Sequence, residues 1–140
     1  VRQLGNKGEL IAVDLLPMDG IAGVHFILGD FREQPVLDQV LARIAGRPVD
    51  LVMSDMAPNL SGLDVVDQPR AMYLTELALD FARQVLKPGG TLLAKVFQGS
   101  GFQELVQSTR TAFSDVRLRK PRASRARSAE MYLLAKGFRL

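Results

Sequence analysis

The chain has 140 residues, 47% hydrophobic and 24% charged, with no cysteine, the composition of a folded globular domain. That composition excludes a disordered tail and a disulfide scaffold, and no apolar run is long enough to cross a bilayer as a helix. The net charge of +3 is unevenly spread: residues 1–115 carry 10 Lys+Arg against 14 Asp+Glu, whereas residues 116–140 carry 8 Lys+Arg against Glu130 alone.

Val1-Arg2-Gln3-Leu4-Gly5 reads as the end of a helix, and Val1 to Leu10 lacks the apolar centre of a secretory signal. Glu9 to Leu16 reads as a strand after the turn Asn6-Lys7-Gly8, and Val24 to Leu28 as a second, closed by Gly29-Asp30. The spacing of Val36, Leu37, Val40, Leu41 and Ile44 predicts a helix over Val36 to Ala45, stopped by Gly46. Val49 to Ser54 is a third strand. Pro69 to Leu86 reads as a long helix with Pro in its first turn, ended by Lys87-Pro88-Gly89-Gly90. Thr91 to Phe97 is a fourth strand, Phe102 to Phe113 a helix, and Asp115 to Arg119 with Met131 to Lys136 an antiparallel pair joined by a long loop. Alternating strands and helices imply one α/β domain over residues 1–140, with a mostly parallel sheet flanked by helices and a C-terminal antiparallel strand pair. Doubly wound nucleotide-binding domains open with a strand and a Gly-rich loop. Neither is seen here, so a chain lacking its N-terminal part is expected.

Asp14, Asp30 and Asp55 sit at or just past the ends of predicted strands, where open α/β sheets hold their ligands. Asp14 can accept hydrogen bonds from ribose hydroxyls. Asp30 can accept from an adenine amino group, with Phe31 stacked on or near the ring. The plain alternative is that all three are turn and cap residues. Asp55-Met56-Ala57-Pro58-Asn59 lacks the aromatic that follows Pro in methyltransferases acting on amino groups, so Asp55 reads better as part of a site for a hydroxyl. Lys95 interrupts the apolar strand Leu92 to Phe97, a costly place for an ammonium unless it is paired or reaches solvent. Asp55 and Glu130 are its candidate partners, though Glu130 could equally pair with the arginines around it. Arg117, Arg119, Lys120, Arg122, Arg125 and Arg127 suggest a polyanion held at one place, or else a solvated basic loop. His25 reads as packing within its strand, and no His/Cys/Asp cluster suggests a metal.

Seven stretches in order, VDLLPMDG (13–20), GDFRE (29–33), SDMAPNLSG (54–62), PRAMYL (69–74), LKPGG (86–90), KVFQGSGF (95–102) and RKPRASRARSAEMYL (119–133), resemble the FtsJ family of ribosomal RNA 2′-O-methyltransferases. The resemblance implies a Rossmann-like fold that binds S-adenosylmethionine through Asp14, Asp30 and Asp55. It also implies a Lys-Asp-Lys-Glu catalytic set, of which Asp55, Lys95 and Glu130 match the last three. The family's first lysine and its Gly-rich loop have no counterpart in this sequence. The implied substrate is a ribose 2′-hydroxyl, on a uridine of large-subunit ribosomal RNA within an assembled particle. Arg119, Lys120, Arg122, Arg125 and Arg127 would hold its phosphates. A monomer in the cytoplasm is expected, for which the absence of cysteine is suited. Two other readings share the fold: a nucleotide-dependent oxidoreductase, which would need a Gly-x-Gly-x-x-Gly loop absent from this sequence, and a catalytically incompetent RNA- or ribosome-binding module.

Overall fold

The apolar pentapeptides LIAVD and VHFIL each form a strand in the computed structural model: β1, Leu10–Asp14, and β2, Val24–Leu28, the latter with the bounds that its sequence predicts. Described are residues 10–14, 24–30, 32–54, 64–99, 101–120 and 130–139, with backbone alone at 10–14, 24–26, 28, 64–68 and 130. The strands β1 and β2 pair in parallel, in register from Leu10↔Val24 to Asp14↔Leu28. After them comes α1, Gln34–Ile44, which buries Val36 and Val40. Pro35 stands in its first turn, where a missing N–H costs nothing, so the helix starts two residues before its apolar face does. It ends on Ala45 in the left-handed conformation at φ 53°, whose N–H bonds to the Leu41 carbonyl at 2.9 Å. The stop expected at Gly46 is therefore set one residue earlier. The chain divides into two units, Val1–Arg47 and Pro48–Leu140, and these elements make up the first.

The second unit is a four-stranded mixed sheet in the order β3-β4-β6-β5 with two helices. Its elements are β3 (Val49–Ser54), α2 (Asp64–Val85), β4 (Leu86–Phe97), α3 (Phe102–Ala112), β5 (Phe113–Arg119) and β6 (Glu130–Phe138). Strands β3 and β4 are parallel, and β6 is antiparallel to both β4 and β5. The antiparallel C-terminal pair read from the sequence is present, and β6 adds a second antiparallel seam to β4.

Two boundaries differ most from the sequence reading. Pro69 lies inside α2 rather than in its first turn. A proline there removes one bond to the carbonyl four residues back, and the buried face downstream holds the helix regardless. That face is Ala71, Leu74, Thr75, Ala78, Leu79 and Ala82, a run at helical spacing with small residues where the helix meets the sheet. Lys87-Pro88-Gly89-Gly90 is part of β4 rather than a loop. While β3 advances from Val49 to Leu51, its partner advances from Leu86 to Thr91, so the four residues form an irregularity in the strand, with Gly89 at φ 86°.

The core lies on one face of this sheet. Val52, Leu92, Ala94, Val96, Leu133 and Ala135 pack with Leu79, Ala82, Leu105, Val106 and Ala112 of the helices and with Phe113 and Phe138. The two phenyl rings are tilted at 54° with centroids 5.3 Å apart. Thr75 and Thr109 are buried with their hydroxyls satisfied, the latter donating to the Leu105 carbonyl at 2.8 Å. On the opposite face the residues of β4 are half-buried, and Leu51 and Met53 of β3 are 48% and 66% exposed. Among the described residues no helix is long and apolar enough to cross a membrane.

Candidate active site

In the first unit the strand ends bring two predicted residues to one edge. Asp14 is the last residue of β1 and pairs with Leu28, the last of β2; Asp30 follows two residues later. Gly29 makes that approach possible, because a Cβ there would fall 2.6 Å from Val36 Cγ2 and push α1 away from the strand end. The Asp30 carbonyl then accepts the Glu33 N–H at 2.9 Å, turning the chain into α1.

Among the described residues, the Asp30 carboxylate is held by one neighbour. Arg32 donates its backbone N–H to Oδ1 at 2.9 Å, Nε to both oxygens at 3.0 Å, and Nη2 to Oδ2 at 2.6 Å. Each oxygen thus accepts two hydrogen bonds, from three N–H groups in all, the Nε–H being shared. The guanidinium bonds, then the backbone N–H, hold the Asp30 carboxyl below its usual range, against a small opposing effect of desolvation. Arg32 is absent from the sequence-derived site. Its only signal was an Arg two residues after an Asp at a strand end. Phe31 and the Asp14 side chain lie outside the described residues.

In the second unit β4 is the organising strand. Leu92, Ala94 and Val96 point into the core, so Leu93, Lys95 and Phe97 line the opposite, half-buried face. Lys95 is therefore in a central strand, flanked by β3 and β6, and not on a solvated edge. From below, Thr75 fixes the Lys95 main chain: its buried hydroxyl lies 3.2 Å from the Ala71 carbonyl and 3.3 Å from the Lys95 carbonyl.

The register gives the neighbours of Lys95. Ser54, the last residue of β3, pairs with Ala94, the residue before Lys95. Asp55 comes next in the chain and lies outside the described residues. Glu130, whose backbone alone is described, pairs with Phe97. Its position is thus diagonal to Lys95 in the same row of the pleat. Directly opposite Lys95 is Tyr132, and opposite Tyr132 on β5 is Arg119. Lys95, Tyr132 and Arg119 thus form one lateral row on the half-buried face, with neighbouring strands about 4.8 Å apart. Tyr132 was not singled out from sequence, because its place depends on register. Lys120 follows β5 and is exposed like Arg119. Arg117 is partly neutralised by Asp115, at 3.3 Å. Arg122, Arg125 and Arg127 lie outside the described residues. No group of His, Cys, Asp and Glu suited to a metal occurs among the described residues.

A half-buried lysine at the carboxyl end of a central strand, with an acid diagonal to it and a cation two strands away, suits chemistry on a polyanionic substrate. The chain is 61% identical over 136 residues to the "Ribosomal RNA large subunit methyltransferase E" of Chromohalobacter salexigens, covering 97% of this chain and 65% of that protein. It is 61% identical over 137 residues to the protein of the same name in Alkalilimnicola ehrlichii, covering 98% and 66%. The chain thus spans about two thirds of the length of these relatives. A crystal structure of a ribosomal RNA methyltransferase from Plasmodium falciparum superposes with a TM-score of 0.84 at 26% identity, over 98% of this chain and 76% of that one. A Streptococcus mutans methyltransferase solved with S-adenosylhomocysteine shares the fold, at a TM-score of 0.53 and 14% identity over 93% of this chain and 72% of that one. The model of the FtsJ-like methyltransferase family matches residues 1–138, nearly end to end, and the chain belongs to that family.

Proposed function

We propose that the chain is the catalytic part of an enzyme that transfers a methyl group from S-adenosylmethionine to a ribose 2′-hydroxyl of ribosomal RNA. The observation that carries this reading is the row on β4, β6 and β5: Lys95 faces Tyr132 and Arg119, with Glu130 diagonal to it. A nucleophilic hydroxyl needs a group that takes or steers its proton, and RNA needs cations along its backbone. The finer proposal is a uridine of the large subunit, acted on in the assembled particle by a monomeric enzyme in the cytoplasm; the names of the bacterial relatives support the large-subunit context.

The residues fit the donor. Asp30 offers a carboxylate at a strand end beside Asp14, suited to the amino and hydroxyl groups of an adenosyl moiety, with Phe31 as a further contact. S-adenosylmethionine supplies a methyl group already activated on a sulfonium. The chain's own part is to orient the ribose hydroxyl and manage its proton. Lys95 either accepts that proton or, as an ammonium, stabilises the developing alkoxide. Asp55 and Glu130 hold Lys95 in place and favour its charged form. Arg119 and Lys120, with Arg122, Arg125 and Arg127, set the RNA backbone in register with Lys95.

The test is transfer of labelled methyl from S-adenosylmethionine to ribosomal particles that lack the modification, with digestion to nucleosides. Label in a 2′-O-methyl nucleoside, lost with Lys95→Ala, is the expected result. Label on a base, or binding of particles with no transfer by a chain that saturates with cofactor, would overturn it in favour of an RNA-binding module.

A further inference from the structure

Four hydrogen bonds from three Arg32 N–H groups, the Nε–H being shared, occupy the two oxygens of the Asp30 carboxylate. A carboxylate has about four lone-pair sites, so an incoming N–H donor competes with the guanidinium for them. One of the three donors, the backbone N–H, belongs to the turn into α1 and stays whatever side chain stands at 32. The other two belong to a guanidinium on a half-exposed side chain, 54% accessible against 19% for Asp30. The guanidinium can swing into solvent, where water replaces its lost partners, while Asp30 is fixed by the Gly29 turn.

We propose that Arg32 is a competing cap on Asp30, displaced when the exocyclic amino group of the cofactor's adenine donates to that carboxylate. This rests on the reading of Asp30 as an adenine contact. The amino group of a bound adenine must outcompete the guanidinium for one lone pair. A purine without a donor at that position cannot displace it and leaves the cap closed. Arg32 therefore lowers the affinity for ligands that carry the 6-amino group, leaves that of ligands without it unchanged, and so narrows the site's preference for a donor at the purine 6-position.

The experiment is calorimetric titration of S-adenosylhomocysteine, and of its analogue with hydrogen in place of the 6-amino group, into the chain and its Arg32→Leu and Asp30→Asn variants. Arg32→Leu is expected to tighten S-adenosylhomocysteine about two- to fivefold, the worth of an exposed ion pair, and to leave the analogue unchanged. Asp30→Asn is expected to weaken S-adenosylhomocysteine. Weakening by Asp30→Asn with no tightening by Arg32→Leu, or equal tightening for both ligands, keeps the cofactor reading and overturns the cap. No binding by any of the three chains overturns both. A second readout is independent of affinity. The Arg32 Nε–H, shielded by Asp30, should exchange faster with solvent as adenosine is added, and unchanged exchange at saturating adenosine would also overturn the cap.

Discussion

Lys95 is the only charged side chain between Thr91 and Phe97, and it is half-buried beside Tyr132. Its replacement by methionine keeps the aliphatic stem and removes the ammonium, so packing and catalysis separate. Lys95→Met is expected to cut methyl transfer by about 10²–10⁴-fold, the usual worth of a positioned acid or base. It should leave cofactor affinity within about twofold and not lower the melting temperature, because burying a charge is what costs stability there. If cofactor affinity falls in step with turnover, Lys95 holds the donor instead. Asp30 gives a pH dependence. Its folded carboxyl lies below the unfolded value, so the Arg32 clamp stabilises the fold fully above about pH 4 and loses its effect as pH falls through the lower, folded value. Arg32→Leu should therefore cost a few tenths to about 1 kcal/mol of unfolding free energy at neutral pH. The cost should vanish in strong acid, which denaturant melts across pH would read. The places of Asp30 after a strand end and of Lys95 within a strand were legible in the sequence, because a carboxylate after an apolar run and a lysine within one violate the pattern around them. Arg32 was not: whether residues two apart meet depends on the turn between them.

At the level of elements, periodicity carried most of the reading. Strands β2 and β3 have their predicted bounds, and α3 ends one residue early because Phe113 is needed in the core beneath Phe138. The errors fell where a residue with a strong local preference was overruled by packing. Pro69 sits inside α2, and the Pro88-Gly89-Gly90 stretch is absorbed as an irregularity of β4. Pairing order was beyond the sequence, because nothing in β6 says that it separates β4 from β5. Yet β6 bonds the strand that carries Lys95 to the one that carries Arg119, so its core residue matters to both. Leu133 is 1% exposed, between Ala94 and Leu118. Leu133→Ala should cost about 2–5 kcal/mol, measured by denaturant unfolding. A smaller loss would mean that the sheet closes over the cavity. The cap of α1 gives a change of opposite sign. Ala45 holds φ 53°, a conformation that costs a non-glycine residue about 1–2 kcal/mol, part of which Ala45→Gly recovers after the added freedom of the unfolded chain. The expected gain is up to about 1 kcal/mol. A loss would show that the Ala45 methyl packs in the native state.

Across the molecule, charge is divided by sequence position: residues 1–115 carry a net of −4 and residues 116–140 a net of +7, which sum to the formal +3. The fold gives that division a location, since β5 ends in Arg119, followed by Lys120, beside the edge where β4 ends and β6 begins. A cation at that edge should act through counterion release from RNA, which is long-ranged and independent of sequence. Arg110, in the last turn of α3, precedes the start of β5 and so lies toward the other end of that strand; it is an exposed cation of like charge. Neutralising Arg119 and Lys120 to Gln should weaken binding to ribosomal particles and reduce the slope of log affinity against log salt by about 1–2 units, since each lost phosphate contact removes about 0.7–0.9. Arg110→Gln should leave the slope unchanged. If both variants lower affinity equally with no change in slope, net charge alone attracts the RNA. A reduced slope confined to Arg119 and Lys120 would mean that the row running from Lys95 through Tyr132 to Arg119 lies along the RNA backbone.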